Sequence, residues 1–252
     1  DGSNPLYAYM GLRYFELGLE LFMKRGIQIV FMFDEFEEML REMPIKFFTT
    51  LRGLRDSNKN QLSYLTFTRA SIPEVAENYG IHPLDIEPFA ELFNDNLYYV
   101  GPYNEADARD MLKGLSRRND RNYDEYTLNF LLWATGRYAG LLRSSFRAID
   151  SLLPLDADTI MTKGDQIVRQ LVLKRPVRIE CKTIWSSLTQ REQHVLRELA
   201  SHEPRLDAND LIVKQAFATL TQKRLLRIQG QRVVIEPPVM NAFVATNPDV
   251  DV

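Results

Sequence analysis

Two acids at the end of an apolar run are the first residues in this chain that could do chemistry. In IQIVFMFDEFEEM (27–39) a hydrophobic segment passes straight into Asp34-Glu35. A carboxylate at such a point can hold Mg²⁺ through water, and its neighbour can orient or deprotonate an attacking water. The same pair also suits the start of the next helix, where acids meet the positive end of the helix dipole. Glu37 and Glu38 read as solvated residues of that helix. A second run, LSYLTFTRAS (62–71), ends in Thr68-Arg69, which either senses a terminal phosphate or closes a strand in solvent. Arg52 and Arg55, three residues apart in IKFFTTLRGLRDS (45–57), read by themselves as a solvated helix face.

What must position these residues is an alternation of helix and strand. AYMGLRYFELGLELFMKRG (8–26) repeats apolar residues at helical spacing and stops at Gly26. Residues 27–33 are apolar apart from Gln28, which predicts a strand in the middle of a parallel sheet covered on both faces. Residues 45–57 predict a helix, 61–69 a second strand, and NLYYVGP (96–102) a third. Ligands of such sheets bind beyond the carboxyl ends of the strands. Asp34 and Glu35 there form the pattern of a Walker B element, with Asp34 on the metal side and Glu35 on the catalytic side.

After Pro102 the pattern is helical, at 104–118, 123–136 and 137–153. Residues 157–173 predict another helix. At 188–201 an amphipathic helix opens on Thr189 with Glu192 three residues on, a capping box. Residues 207–244 read as two helices and then LLRI-QGQ-RVVIE, two strand-like runs around a glycine turn, which together suggest a winged helix-turn-helix. Trp133 and Trp185 read as core.

Composition narrows the function classes. The chain has 252 residues, 45% hydrophobic and 26% charged, a globular composition. The formal net charge of −3 gives no global bias toward nucleic acid or an anionic membrane. Acids outnumber bases up to residue 155, and a small basic excess follows. One cysteine, Cys181, excludes an internal disulfide framework and, with the scattered His82, His194 and His202, cannot make a structural zinc set. No G-x-S-x-G elbow occurs. No apolar run approaches the ~20 residues that span a bilayer, so a soluble, cytoplasmic protein without a membrane partner is expected.

Taken in order, VFMFDEFEEM, FFTTLRGLR, LSYLTFTRAS, ELFNDNLYYVGPYNEADARDML and ATGRYAGLL resemble the bacterial AAA-like branch of the STAND ATPases, over about residues 5–150. The resemblance implies an α/β partial P-loop NTPase core with a parallel sheet (1–101) and an all-α lid (102–155); the helices and hairpin that follow make residues 156–252 the expected winged-helix domain. It implies ATP and Mg²⁺ as cofactors of the intact protein, Asp34 and Glu35 as its Walker B acids, and Thr68 and Arg69 as its sensor. Pro102 matches the turn into the lid, and Arg52 and Arg55 lie on the helix after the Walker B acids, where related ATPases place an arginine donated in trans. Gly136 and Arg137 match the lid segment near the adenine, although Arg137 replaces a glycine and Ala139 a proline of that pattern. Such proteins act as signalling switches, through self-association or a fused effector domain.

The phosphate-cradling G-x-x-x-x-G-K-[ST] string is missing. Residues 1–26 are too few to hold it with its flanking elements, and Asp1 stands where a Met would. The expectation is a fragment that begins after the phosphate loop and is inactive alone.

The C-terminal module has a second reading, as a DNA-binding regulator on a degenerate ATPase scaffold. Lys214, Gln215, Gln222, Lys223 and Arg224 would lie on the recognition helix, with Arg227, Gln231 and Arg232 beside the wing. Against this, DANDLIV at the helix start is acidic and apolar, a poor surface for phosphates.

Overall fold

The computed structural model describes residues 5–152, 155–201, 210–230 and 232–246. The chain forms two units, Asp1–Leu97 and Tyr98–Val252.

In the first unit α1 (Pro5–Lys24) leads into β1 (Ile29–Phe33), and the amide of Gln61 donates to the carbonyl of Met23 at 2.8 Å. β1 pairs in parallel with β2 (Leu62–Thr66), with Ile29 opposite Leu62 and Phe33 opposite Thr66. Parallel neighbours need a crossover, supplied here by α2 (Phe36–Glu42) and α3 (Ile45–Ser57). Beyond β2 come α4 (Ile72–Asn78), capped by Ser71 and Glu74, α5 (Pro83–Ala90) and a 3-10 turn, Glu91–Phe93. The core is aromatic. Phe36, Phe48 and Phe89 meet with ring centroids 5.6–5.7 Å apart, and Phe31, Phe33 and Tyr64 extend this cluster across one face of the sheet. The Tyr64 hydroxyl donates to the Leu51 carbonyl at 2.8 Å, tying β2 to α3. Burial pushes its pKa up to about 12.

The other face of the sheet is open. Val30 and Met32 are 58% and 65% exposed, with Leu65 and Phe67 also exposed on β2 and its continuation. The expected cover on both faces is thus corrected to cover on one. The expected third strand is also corrected: residues 96–102 are irregular, and Leu97, Tyr98 and Val100 are exposed. β-propensity reflects fit to a neighbouring pleated surface, and this segment pairs with no strand among the described residues.

The second unit is helical with one hairpin: α6 (Glu105–Asn119), α7 (Glu125–Thr135), α8 (Ala139–Ala148) running into a 3-10 turn (Ile149–Leu152), α9 (Ala157–Leu173), α10 (Arg175–Ser186), α11 (Gln190–Ala200), α12 (Leu211–Gln222), antiparallel β3 (Leu226–Gln229) and β4 (Arg232–Ile235), and α13 (Pro238–Thr246). Helix starts follow local chemistry. Asn104, Asp124, Asp156, Thr189 and Asp210 each accept a first-turn N–H on their side chains. The Thr189–Glu192 capping box is present.

Leu112, Phe146, Leu171, Cys181, Val195, Leu220 and Phe243 belong to one continuous core. The helices before residue 155 and the elements after it therefore share their interior. Within residues 207–244, where two helices were expected before the hairpin, α12 alone precedes it among the described residues and α13 follows it; residues 207–209 lie outside the described residues. α10 carries Val177, Cys181 and Trp185 at four-residue spacing, all buried. Trp133, expected in the core, is about half exposed. Among the described residues no helix is long and apolar enough to cross a membrane.

Candidate functional site at the strand tips

The strand pairing extends one step past β1 and β2. Phe67 N–H donates to the Phe33 carbonyl at 2.9 Å, and Phe36 N–H donates back to Phe67 at 3.1 Å. The intervening turn, Asp34-Glu35, is thereby held against Phe67, beside Thr68 and Arg69. Asp34 Oδ1 accepts the N–H of Glu35 at 3.0 Å. Both acids are exposed, as is Arg69, while Thr68 is half-buried.

Glu35 sits at φ 48°, ψ 48° immediately before α2. This is the left-handed region, which costs a residue with a Cβ about 1–2 kcal/mol, and such strain gathers at functional turns. Nothing in the amino-acid order announced it. Glu37, expected as a solvated helix residue, has a partner across the strand tips. Its Oε1 accepts the backbone N–H of Arg69 at 2.5 Å, so it fastens the first turn of α2 to the tip of β2 and is not merely solvated. An acid in a helix's first turn was visible, but its partner depended on which strand lay alongside.

The carboxylate donor set at the tips is small. Asp34 offers one oxygen beyond the bond to Glu35, and among the described residues no three His, Cys, Asp or Glu gather into a metal site. Mg²⁺ is commonly held by one or two carboxylates plus waters and substrate phosphates.

Arg52 and Arg55 lie on α3. The Arg52 guanidinium bonds Asp56 at 2.7 Å, donates to the Pro88 carbonyl and lies 3.6 Å from Glu91, joining α3 to α5. Arg55, one turn on, is half-buried.

The other nucleotide-site candidates belong to the second unit. Tyr103 N–H donates to the Arg137 carbonyl at 3.1 Å, which brings the Pro102 segment to the turn formed by Gly136 and Arg137. Gly136 has φ +55° and ends α7. A Cβ there would lie 2.8 Å from Pro237 Cβ, so packing against Pro237 already explains this glycine. The next residue, Tyr138, donates its hydroxyl to the Lys223 carbonyl, and burial raises its pKa.

The nucleic-acid candidates divide. Lys223 Nζ bonds both oxygens of Glu192, at 2.8 and 2.9 Å, and the two side chains are only 15% and 3% exposed. This charge is engaged between α11 and α12. The stem of Arg224 packs 3.5 Å from where a Cβ on Gly101 would stand, and Arg227 pairs with Glu236 at 2.8 Å. Lys214, Gln215, Gln222 and Arg232 are exposed. Gln231 lies outside the described residues.

Set against models of protein families and against curated protein sequences, the chain matches none.

Proposed function

We propose that this chain is the part of a STAND-class, AAA-like ATPase that follows the phosphate-binding loop, and that the intact protein is a nucleotide-dependent signalling or regulatory switch. One observation carries this reading: two parallel strands end side by side with Asp34-Glu35 on one tip and Thr68-Arg69 on the other, tied by backbone bonds and by Glu37. The exposed apolar face at Val30 and Met32 fits strands drawn from a larger layered sheet.

When bound, ATP with Mg²⁺ supplies the phosphoryl group and the charge that neutralises it. Asp34 would hold the cation through the carboxylate oxygen that is not bonded to the Glu35 N–H. Glu35, fixed by the left-handed turn, orients a water and takes its proton. Thr68 and Arg69 report on the phosphate end. In this reading α6–α8 are the lid, and α11, α12 and the β3–β4 hairpin are a winged helix that moves mechanically, with output through self-association or a fused effector.

Calorimetric titration of the full-length gene product with Mg-ATP tests it. Asp34→Ala should abolish Mg²⁺-dependent binding, and Glu35→Gln should keep binding while losing hydrolysis. A full-length product that binds no nucleotide overturns the proposal. The second reading, a DNA-binding regulator, rests on exposed Lys214 and Arg232. It requires sequence-selective duplex binding that is lost in Lys214→Glu/Arg232→Glu.

A further inference from the structure

A concentration of exposed positive charge in the second unit lies on α10 and its neighbour α8, not on the hairpin. Arg175, Arg178 and Lys182 follow one another at i, i+3 and i+7 and are all exposed. That spacing places them along one stripe of the helix. The one acid of α10, Glu180, is turned onto α8, where it lies so close to Gly140 that a Cβ there would collide with its carboxylate. α8 contributes exposed Arg143 and Arg147 and contains no acid. Among the described residues Arg143, Arg147, Arg175 and Lys182 pair with no carboxylate. These cations do not serve their own helix either. α10 has no acid in its first turn, and basic residues there oppose the helix dipole.

The contrast with α12 and the hairpin sharpens the point. There Lys223 is locked to Glu192 and Arg227 to Glu236. On α10 and α8 the positive charge faces outward.

We propose that α10, flanked by α8, is a surface for the phosphate backbone of a nucleic-acid duplex, read without base specificity. Arg175 and Lys182 are about 10 Å apart along the helix, so the stripe spans successive phosphates of one strand. Four of the five cations are arginines, whose forked donors match phosphate oxygens. The outer face of α10 carries one large apolar residue, Ile179, too little for anchorage in a lipid interface.

The test is fluorescence anisotropy of the full chain with a random-sequence DNA duplex at two salt concentrations. Three phosphate contacts predict affinity about 40-fold weaker at 200 than at 50 mM salt. Arg175→Glu/Lys182→Glu should weaken binding at least 10-fold and lower the salt slope by about 2. Arg175→Lys/Lys182→Arg should keep most of it, and Lys214→Glu/Arg232→Glu should leave it unchanged. Arg175→Gln/Lys182→Gln replaces the charge reversal if circular dichroism finds the latter unfolded. Three results overturn the proposal: no salt-dependent duplex binding, binding to anionic vesicles but not to duplex, or loss only in the Lys214/Arg232 variant.

Discussion

The two ends of this chain treat their polar residues in opposite ways. At the strand tips of the first unit, Asp34, Glu35 and Arg69 are exposed, and the bonds that fix them run mainly through the backbone: Phe33 to Phe67, Phe36 to Phe67, Arg69 N–H to Glu37. Their side chains are positioned but largely unspent. In the second unit, several residues of equally suggestive type are absorbed by packing. Lys223 closes a buried pair with Glu192, Gly136 makes room for Pro237, and the stem of Arg224 covers Gly101. Residue type alone nominates both sets. What separates them is whether the functional atoms still face outward once the backbone is satisfied.

The comparison can be broken by mutation, and the largest expected effect is in the second unit. Lys223→Ala should destabilise it by about 3–5 kcal/mol, because the Glu192 carboxylate is left buried without its cation. Arg69→Ala in the first unit should stay within about 0.5 kcal/mol. Guanidinium unfolding curves of the two variants measure this, and equal costs would erase the distinction. Next comes Gly136→Ala, which forces both a left-handed backbone and a contact with Pro237. A cost of about 2 kcal/mol should appear as a lower thermal midpoint, whereas an unchanged midpoint would remove the packing explanation.

Glu35→Gly should act in the other direction. Relief of the left-handed strain should stabilise the first unit by roughly 0.5–1 kcal/mol, while the hydrolysis proposed for the intact protein should be lost. A destabilised variant would contradict the strained-turn account. Asp34→Ala should be smallest, within about 0.5 kcal/mol, with its effect confined to the proposed Mg-ATP binding.

Alkaline titration probes both units at once. Burial raises Tyr64 to about 12, and burial together with Asp150 raises Tyr123 to about 12. The folded state therefore holds these phenolic protons more tightly than the unfolded chain, where the pKa is near 10. Their contribution is complete below pH about 10 and is lost as the pH rises toward about 12. Tyrosinate absorbance and far-UV circular dichroism should change together over that range; ionisation completed near pH 10 without loss of structure would refute it.

Much of the local structure was legible in the sequence. α3 spans the same residues as the periodicity predicted, Thr189 and Glu192 form the capping box, and the apolar run before Asp34 is β1. These depend on contacts within one turn or one strand. Residues 96–102 misled because Tyr and Val favour strands only where a neighbouring strand accepts them. Trp133 misled because a large ring suggests core, yet its helix exposes that position. The hairpin was recognisable from its glycine turn, but the single core joining α6 to α13 was not, since no local pattern records which apolar faces meet.

The sequence by itself determined where helices start, where an apolar strand meets two acids, and that no phosphate-cradling loop lies within the chain. Those are properties of residue type and spacing. Tertiary structure alone decided that Phe67 clamps the Asp34-Glu35 turn, that Glu37 reaches Arg69, and that Lys223 is spent on Glu192 while Arg175 and Lys182 remain exposed. Each of these joins residues separated in sequence, and only the folded chain brings them within hydrogen-bonding distance or leaves them facing water.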